Sequence, residues 1–193
     1  MELLKERILR DGRAAEGGVL KVDSFLNHQI DISLLQEIGK EFRRRFPQPE
    51  INKILTIEAS GIGIAAIAAQ YFGNADVVFA KKTRSKNLDG ELYTAPVRSY
   101  TRGEMFEVQV ARRYLTPGDH VLVIDDFLAH GQALKGLMEI IRQSGAHLVG
   151  CGIVIEKGFQ SGGRQLREQG VNLQSLAIVD SISDGVVSFR EEA

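Results

Sequence analysis

The chain is short of the residues on which several chemistries depend. Cysteine occurs once in 193 residues, at Cys151. That excludes an internal disulfide and a cysteine-rich zinc site; a buried structural thiol is the expected role. The four histidines are scattered without metal-ligand spacing. Charge of one sign is lacking as well. Lys and Arg number 24 against 25 Asp and Glu, for a formal net charge of −1. Such a balance leaves no electrostatic footprint for nucleic acid. No apolar run approaches the ~20 residues that a membrane helix needs. Residues 1–10 mix acids with bases and carry no continuous apolar stretch, unlike a secretion signal. The cytoplasm is therefore the expected compartment. Repeats and low-complexity segments are missing too.

What is present reads as one α/β domain over residues 1–193, with 44% apolar and 25% charged residues. Residues 2–10 predict a short amphipathic helix with Leu3, Leu4, Arg7 and Ile8 on one side. Gly17 and Gly18 break the chain, residues 19–25 predict a strand and 26–30 a turn. Ser33 with Gln36 forms a capping-box pattern for a helix through Phe46. Arg43, Arg44 and Arg45 stand in its last turn, where cations complement the helix dipole. Residues 51–57 and 76–80 predict strands on either side of an apolar helix over 61–71. Segments 92–101 and 106–114 alternate as an antiparallel hairpin around Arg102-Gly103-Glu104. Residues 148–155, 176–179 and 186–189 predict further strands, with a short helix after Ser161-Gly162-Gly163. Strands alternating with helices predict a mostly parallel sheet covered on both faces.

The most informative stretch is Val121-Leu122-Val123-Ile124-Asp125-Asp126-Phe127-Leu128-Ala129-His130-Gly131-Gln132-Ala133. Residues 121–124 are apolar on both faces of a strand, which suits a central parallel position. Leu134, Leu137, Met138 and Ile141 recur at helical spacing over 133–144, and Gly145 is placed as a left-handed cap. The acidic pair and the glycine turn therefore stand between a strand's carboxyl end and a helix amino terminus. Open α/β sheets bind ligands there. Backbone N–H groups and the helix dipole favour an anion. Asp125 and Asp126 can accept hydrogen bonds from a vicinal diol or hold a hydrated divalent cation. A phosphate at one end and a diol at the other describe a ribose 5-phosphate.

That stretch resembles the 5-phosphoribosyl-1-pyrophosphate (PRPP) signature of the type I phosphoribosyltransferases. The rest of the chain supports the resemblance in order. Glu58-Ala59-Ser60-Gly61 follows a strand and opens a helix, like the family's pyrophosphate loop. Lys81-Lys82 stands where the family keeps a cation for the pyrophosphate; Lys82 is favoured and Lys81 is the alternative. The hairpin corresponds to the family's mobile catalytic loop, with Ser99, Tyr100 and Arg102 as possible diphosphate contacts. Leu20, Lys21 and Asn27 resemble the N-terminal hood of the family's xanthine-using branch. Glu156-Lys157-Gly158-Phe159 resembles the stretch that reaches the purine in that branch. Ala129 to Ala133 depart from the commoner Thr-Gly-Gly-Thr turn and lack its hydroxyls. The Ala-x-Gly-Gln-Ala form again resembles the xanthine branch. His130 at its variable position either points to solvent or adds a donor near the phosphate.

The resemblance implies the type I phosphoribosyltransferase fold, with a small hood built from about residues 1–30 and 157–193. It implies transfer of the phosphoribosyl group of PRPP to N9 of xanthine, with Mg²⁺ accompanying PRPP. Asp125 and Asp126 would be the catalytic pair. Residues 58–61, Lys82 and 129–133 would bind PRPP, and Leu20, Asn27 and Lys157 the xanthine. Leu20 would offer the base an apolar face, and Phe159 is a candidate for stacking on the base, with a core position as its first expectation. A homodimer is implied, with no nucleic-acid or membrane partner. Guanine or hypoxanthine as the base is the nearest alternative. A PRPP-sensing transcription regulator is further off, since such proteins carry an added DNA-binding domain ahead of the hood. A P-loop kinase is excluded, because no Gly-Lys-Ser/Thr follows Ser60-Gly61-Ile62-Gly63.

Overall fold

The computed structural model describes residues 1–15, 17–82, 90–98, 103–183 and 185–191. Helix α1 (Glu2–Asp11) buries Leu4 and Ile8 but leaves Leu3 exposed. It leads into a small antiparallel hairpin of β1 (Arg13–Ala15) and β2 (Val19–Lys21). The strand expected over 19–25 stops at Lys21. Residues Asp23–Asn27 instead coil into a π-helical turn that buries both Phe25 and Leu26. A strand sends neighbouring side chains to opposite faces, whereas a coiled turn can send two consecutive ones into the same core.

Helix α2 (Ile32–Arg45) buries Leu34, Leu35, Ile38 and Phe42, as its periodicity predicts. Its cap is not Ser33. Asp31 occupies that position, and its carboxylate accepts from the Leu34 N–H at 3.1 Å. A carboxylate there satisfies an orphan amide and also meets Arg7 Nη1 at 2.7 Å, tying α1 to α2. At the other end Arg43 donates to the Phe46 and Gln48 carbonyls, each at 3.0 Å.

Strand β3 (Lys53–Ile57), helix α3 (Ser60–Ala69) and strand β4 (Asp76–Ala80) form the first parallel unit. Strands β5 (Leu92–Arg98) and β6 (Met105–Ala111) pair antiparallel, as expected for the hairpin. Ser99, Tyr100 and Arg102 lie outside the described residues. Then follow β7 (His120–Leu128), α4 (Gln132–Ser144), β8 (His147–Lys157), α5 (Gly162–Glu168), β9 (Leu173–Ser183) and β10 (Val186–Phe189). The central sheet runs β10-β9-β8-β7-β3-β4 and is parallel except for β10.

Both faces of the sheet are covered. On one, α2 and α3 pack Phe42, Ile64 and Ala68 against Leu122 and Ile124. On the other, α4, α5 and the β5–β6 hairpin pack Leu137, Leu166 and Val97 against Val121 and Val123. Each buried Leu, Ile, Val or Phe side chain among these contributes about 1.5–3 kcal/mol relative to exposure. Glycines allow the close approaches. A Cβ on Gly152 of β8 would stand 2.8 Å from the Phe42 ring, and one on Gly136 of α4 would stand 2.5 Å from Val97. Gly145 ends α4 with φ 73°, as its position predicts. Cys151 is buried in β8, and burial raises its thiol to about 12, so it is an inert packing group.

The cap generates a test. The backbone hydrogen bond from Leu34 holds Asp31 below its usual 3.8. Its contribution is therefore complete above that value and fades as pH falls through the lower, folded-state value. Asp31→Ala is expected to cost about 1 kcal/mol, or about 2–4 °C in Tm, at neutral pH. Ser33→Ala should leave Tm unchanged. Thermal melts of both variants would reverse the assignment if Ser33→Ala were the damaging one.

Candidate active site

The order of the sheet creates the site. From β3 the chain crosses through α3 to β4 on one side. From β7 it crosses through α4 to β8 on the other. Strands β3 and β7 are neighbours, so the direction of winding reverses between them, and a crevice opens beyond their carboxyl ends. Their pairing is short, from Lys53–Val121 to Leu55–Val123. On its other edge β7 stays paired with β8 as far as Leu128 and Glu156. The strand is thus longer than residues 121–124 predict. Asp125 and Asp126 lie inside it and not beyond its end, because β8 supplies partners that local sequence does not reveal.

Asp125 and Asp126 are 4% and 8% exposed. The Asp126 N–H donates to Asp125 Oδ1 at 3.0 Å, and the Phe127 N–H donates to Asp126 Oδ1 at 2.9 Å. Burial pushes the Asp125 carboxyl well above its usual 3.8, and the charge of Asp126 pushes it further. The Asp126 N–H and the Lys82 ammonium act in the opposite direction. The second oxygen of Asp126, Oδ2, accepts from Asn27 Nδ2 at 3.0 Å. The turn that replaced the expected strand thus delivers Asn27 to the acidic pair.

The loop after β3 closes over the same crevice. The Glu58 N–H donates to the Ala80 carbonyl at 3.1 Å, and Glu58 Oε1 accepts from the Lys82 N–H at 2.6 Å. The loops after β3 and β4 are therefore tied together. The Glu58–Ala59 peptide is cis. Ser60 opens α3, and Gly61 presses on the buried Thr56 hydroxyl; a Cβ there would overlap it and come within 3.3 Å of Asp125 Oδ1. The two lysines are distinguished. Lys81 exchanges backbone hydrogen bonds with Gln109 of β6 at 3.0 and 2.9 Å. The ammonium of Lys82 acts on Asp125 and lies 6.0 Å from the Phe106 ring centre.

Residues 129–133 lead from β7 into α4. Gly131 is the N-cap with φ 76°, a left-handed conformation that favours glycine, and Gln132 is the first helical residue. Ala129, His130, Gln132 and Ala133 are half-buried. The neighbour on this loop was not foreseen. The Gly162 N–H donates to the Ala129 carbonyl at 3.1 Å. A Cβ on Gly162 would overlap the Ala129 carbonyl and stand 2.7 Å from the Gly131 nitrogen. Lys135 Nζ of α4 also donates to Gln165 Oε1 of α5 at 3.1 Å. The adjacent Gly162-Gly163 was the one available signal, and by sequence alone it reads as a helix start.

Of the anticipated base-binding residues, Lys157 stands at the end of β8 against the small hairpin that carries Leu20, while Asn27 follows that hairpin and meets Asp126. Lys157 Nζ donates to the Gly18 carbonyl at 3.0 Å, and burial lowers its pKa. Its neighbour Glu156 is buried, 2% exposed, and forms a fork with Arg167 of α5 at 2.8 and 2.7 Å. The Ser175 hydroxyl also donates to Glu156. Burial raises the Glu156 carboxyl, but the hydrogen bonds from Arg167 and Ser175 outweigh that and hold it below its usual value. Leu20 is 6% exposed and packs into the core with Val22 and Phe25. Phe159 reverses its expectation. It is 43% exposed in the turn after β8, where its ring packs against Gly18 rather than in the core.

A fold-family profile for the phosphoribosyl transferase domain matches residues 22–175. The chain belongs to that family. Among its relatives, the xanthine phosphoribosyltransferase of Alkaliphilus metalliredigens (strain QYMF) is 57% identical over 192 residues, covering 100% of this chain and 95% of the relative. That of Lachnoclostridium phytofermentans is 59% identical over 192 residues, covering 98% of each. Among solved structures, adenine phosphoribosyltransferase of Trypanosoma brucei, in complex with AMP, pyrophosphate and ribose-5-phosphate, superposes with a TM-score of 0.74 at 18% identity. It covers 94% of this chain and 81% of that one. At that identity the likeness establishes the fold.

Burial of Asp125 also bears on stability. A folded carboxyl raised above 3.8 keeps a proton that the unfolded chain has released, so stability falls as pH rises from 3.8 toward the folded value. Asp125→Asn cannot lose that proton and still accepts the Asp126 N–H. The variant should melt at or above the native Tm, with a gap that widens from pH 3.8 upward until Asp125 ionises. Thermal melts across that range showing a less stable variant would refute this account of the buried acid.

Proposed function

We propose that the protein transfers the 5-phosphoribosyl group of PRPP to N9 of xanthine, giving xanthosine 5′-monophosphate and pyrophosphate. The observation that carries the reading is the hydrogen bond between Asn27 and Asp126, 3.0 Å long. It makes the hood contiguous with the acidic pair, so a base at the hood stands beside a ribose at β7. The names of relatives above half identity support the same substrate.

In this reading Asp125 and Asp126 hold the 2′ and 3′ hydroxyls of the ribose. Residues 129–133 meet the 5-phosphate through backbone N–H groups, with Gln132 as a side-chain donor. Residues 58–61 cradle the diphosphate, and Lys82 neutralises the leaving group. The bond from C1′ to the pyrophosphate oxygen breaks, its electron pair leaving with pyrophosphate, as N9 bonds to C1′ through an oxocarbenium-like state and gives up its proton to solvent. Positioning and charge stabilisation suffice, with no covalent nucleophile.

Among the described residues no cluster of three or more His, Cys, Asp or Glu is gathered for a metal. The oxygen donors of Asp125 and Asp126 suit a hydrated Mg²⁺ arriving with PRPP, and these carboxylates would hold it through water. When bound, Mg²⁺ neutralises charge on the departing pyrophosphate.

Specificity follows from donor counts. The Lys157 ammonium has three N–H donors and, among the described residues, spends one on Gly18. Two remain for a 6-oxo group and N7, and a 6-amino group would leave one of them unmet. The Asn27 amide has two donors and spends one on Asp126. The other is available to a 2-oxo group, which hypoxanthine lacks. Leu20 supplies an apolar edge from the core side. The proposed assembly is a cytoplasmic homodimer whose sites lie close to the subunit contact, with the hood formed by about residues 1–30 and 157–193 of one domain.

Pyrophosphate release from PRPP and Mg²⁺, measured with each purine and pyrimidine base in turn, tests the assignment. Xanthine should be the fastest; equal or greater rates with guanine or hypoxanthine would move the assignment to that base. Replacing both acids, Asp125→Asn with Asp126→Asn, should lower kcat by about 10²-fold or more while circular dichroism stays native. Near-normal turnover in that variant would remove the acidic pair from the chemistry. Lys157→Ala should raise KM for xanthine about tenfold or more and change KM for PRPP by about twofold at most. An unaltered xanthine KM would take Lys157 out of the base site.

A further inference from the structure

We infer that α5 is the wall that positions the phosphate loop, with Gly162 as its contact and the Glu156–Arg167 pair as its anchor. The inference rests on the reading of residues 129–133 as the 5-phosphate loop. The side chains of Ala129 and Ala133 offer no hydroxyl, so a phosphate there must be met largely by backbone N–H groups. Their directions depend on where the backbone is held, and a displacement of about 1 Å in such a site can cost about 10²-fold. A loop of this composition therefore needs a rigid neighbour.

That neighbour is Gly162. It lies within α5 and not among the positive-φ glycines, so its lack of a side chain meets a demand for space rather than for conformation. Its N–H binds the Ala129 carbonyl at 3.1 Å, and a Cβ on Gly131 would stand 3.5 Å from its Cα. The two backbones are thus in direct contact. On the next residue, Gly163, a Cβ would overlap Glu156 Oε1, so α5 also presses on the buried carboxylate behind it. Arg167, one turn on, forks onto both oxygens of that carboxylate. Glu156 precedes Lys157 in β8. One short helix therefore fixes the phosphate loop on one side and the strand end bearing the base-site lysine on the other. Gly162 and Arg167 are positioning residues; neither needs to touch a substrate.

Calorimetric titration with ribose 5-phosphate, followed by steady-state kinetics, tests this. Against the native chain, Gly162→Ala is expected to weaken ribose 5-phosphate and raise KM for PRPP, each by about tenfold. KM for xanthine should stay within about twofold, which a general loosening of the fold would not allow. Arg167→Gln should also weaken ribose 5-phosphate, and Arg167→Lys should recover only part, since an ammonium cannot make the fork. Hydrogen exchange on the native chain is a second measurement that needs no variant. Ribose 5-phosphate should slow exchange in α5 together with residues 129–133. Unchanged ribose 5-phosphate affinity in Gly162→Ala, equal rises in both KM values, or protection confined to 129–133 would overturn the inference alone. No ribose 5-phosphate binding by the native chain would remove the 5-phosphate reading and this inference with it.

Discussion

Three residue pairs join β3 to β7, and the crevice that brings residues 58–61 beside Asp125 depends on that pairing. Where the two strands part, the winding has just reversed, and two loops face each other across the gap. One follows β3 and carries Gly61; the other follows β7 and carries Gly131. Neither loop could face the other if β7 were not the neighbour of β3. The short contact is held by cores on both faces, since Val121 and Val123 point into one cluster and Leu122 and Ile124 into the other. Stability on both sides of the strand is what allows two acids to be carried at its buried end.

Those acids carry a cost. Asp125 is almost fully buried and has a like charge beside it. A fold selected for stability alone would place an amide or an apolar residue there. The acid instead suits a ligand that brings its own donors, such as a diol or a hydrated cation. Asp126 shares part of that burial but reaches Asn27. The two carboxylates are adjacent in sequence and differ in partner, because successive residues of a strand face opposite sides of the sheet.

The periphery is built by the same economy of polar groups. Among the described residues, Lys157 and Asn27 each spend one donor on the protein and keep the others, which turns hydrogen-bond counting into an argument about the base. Glu156 is buried next to Lys157, yet it belongs to α5 through Arg167 and Ser175. Buried ionic groups of this kind cost desolvation energy. Here the fork with Arg167 ties α5 to β8, and α5 in turn touches the loop over residues 129–133.

The sequence by itself determined the alternation of strands and helices, the doubly apolar run of β7, the left-handed Gly145 and the juxtaposition of an acidic pair with a glycine turn. These are local properties, set by side-chain periodicity and by backbone angles that few residues tolerate. Its local errors were also local. Ser33 completes a capping-box pattern, but Asp31 is the cap and has the added partner Arg7 from another helix. The run over 19–25 alternated acceptably, yet burial of both Phe25 and Leu26 required a coiled turn. Only the tertiary structure brought the Lys82 ammonium to act on Asp125, joined Asn27 to Asp126 across 99 positions, and set Gly162 against the loop over residues 129–133. Contacts between residues so far apart depend on strand order and layer packing. No pattern within a single segment encodes them.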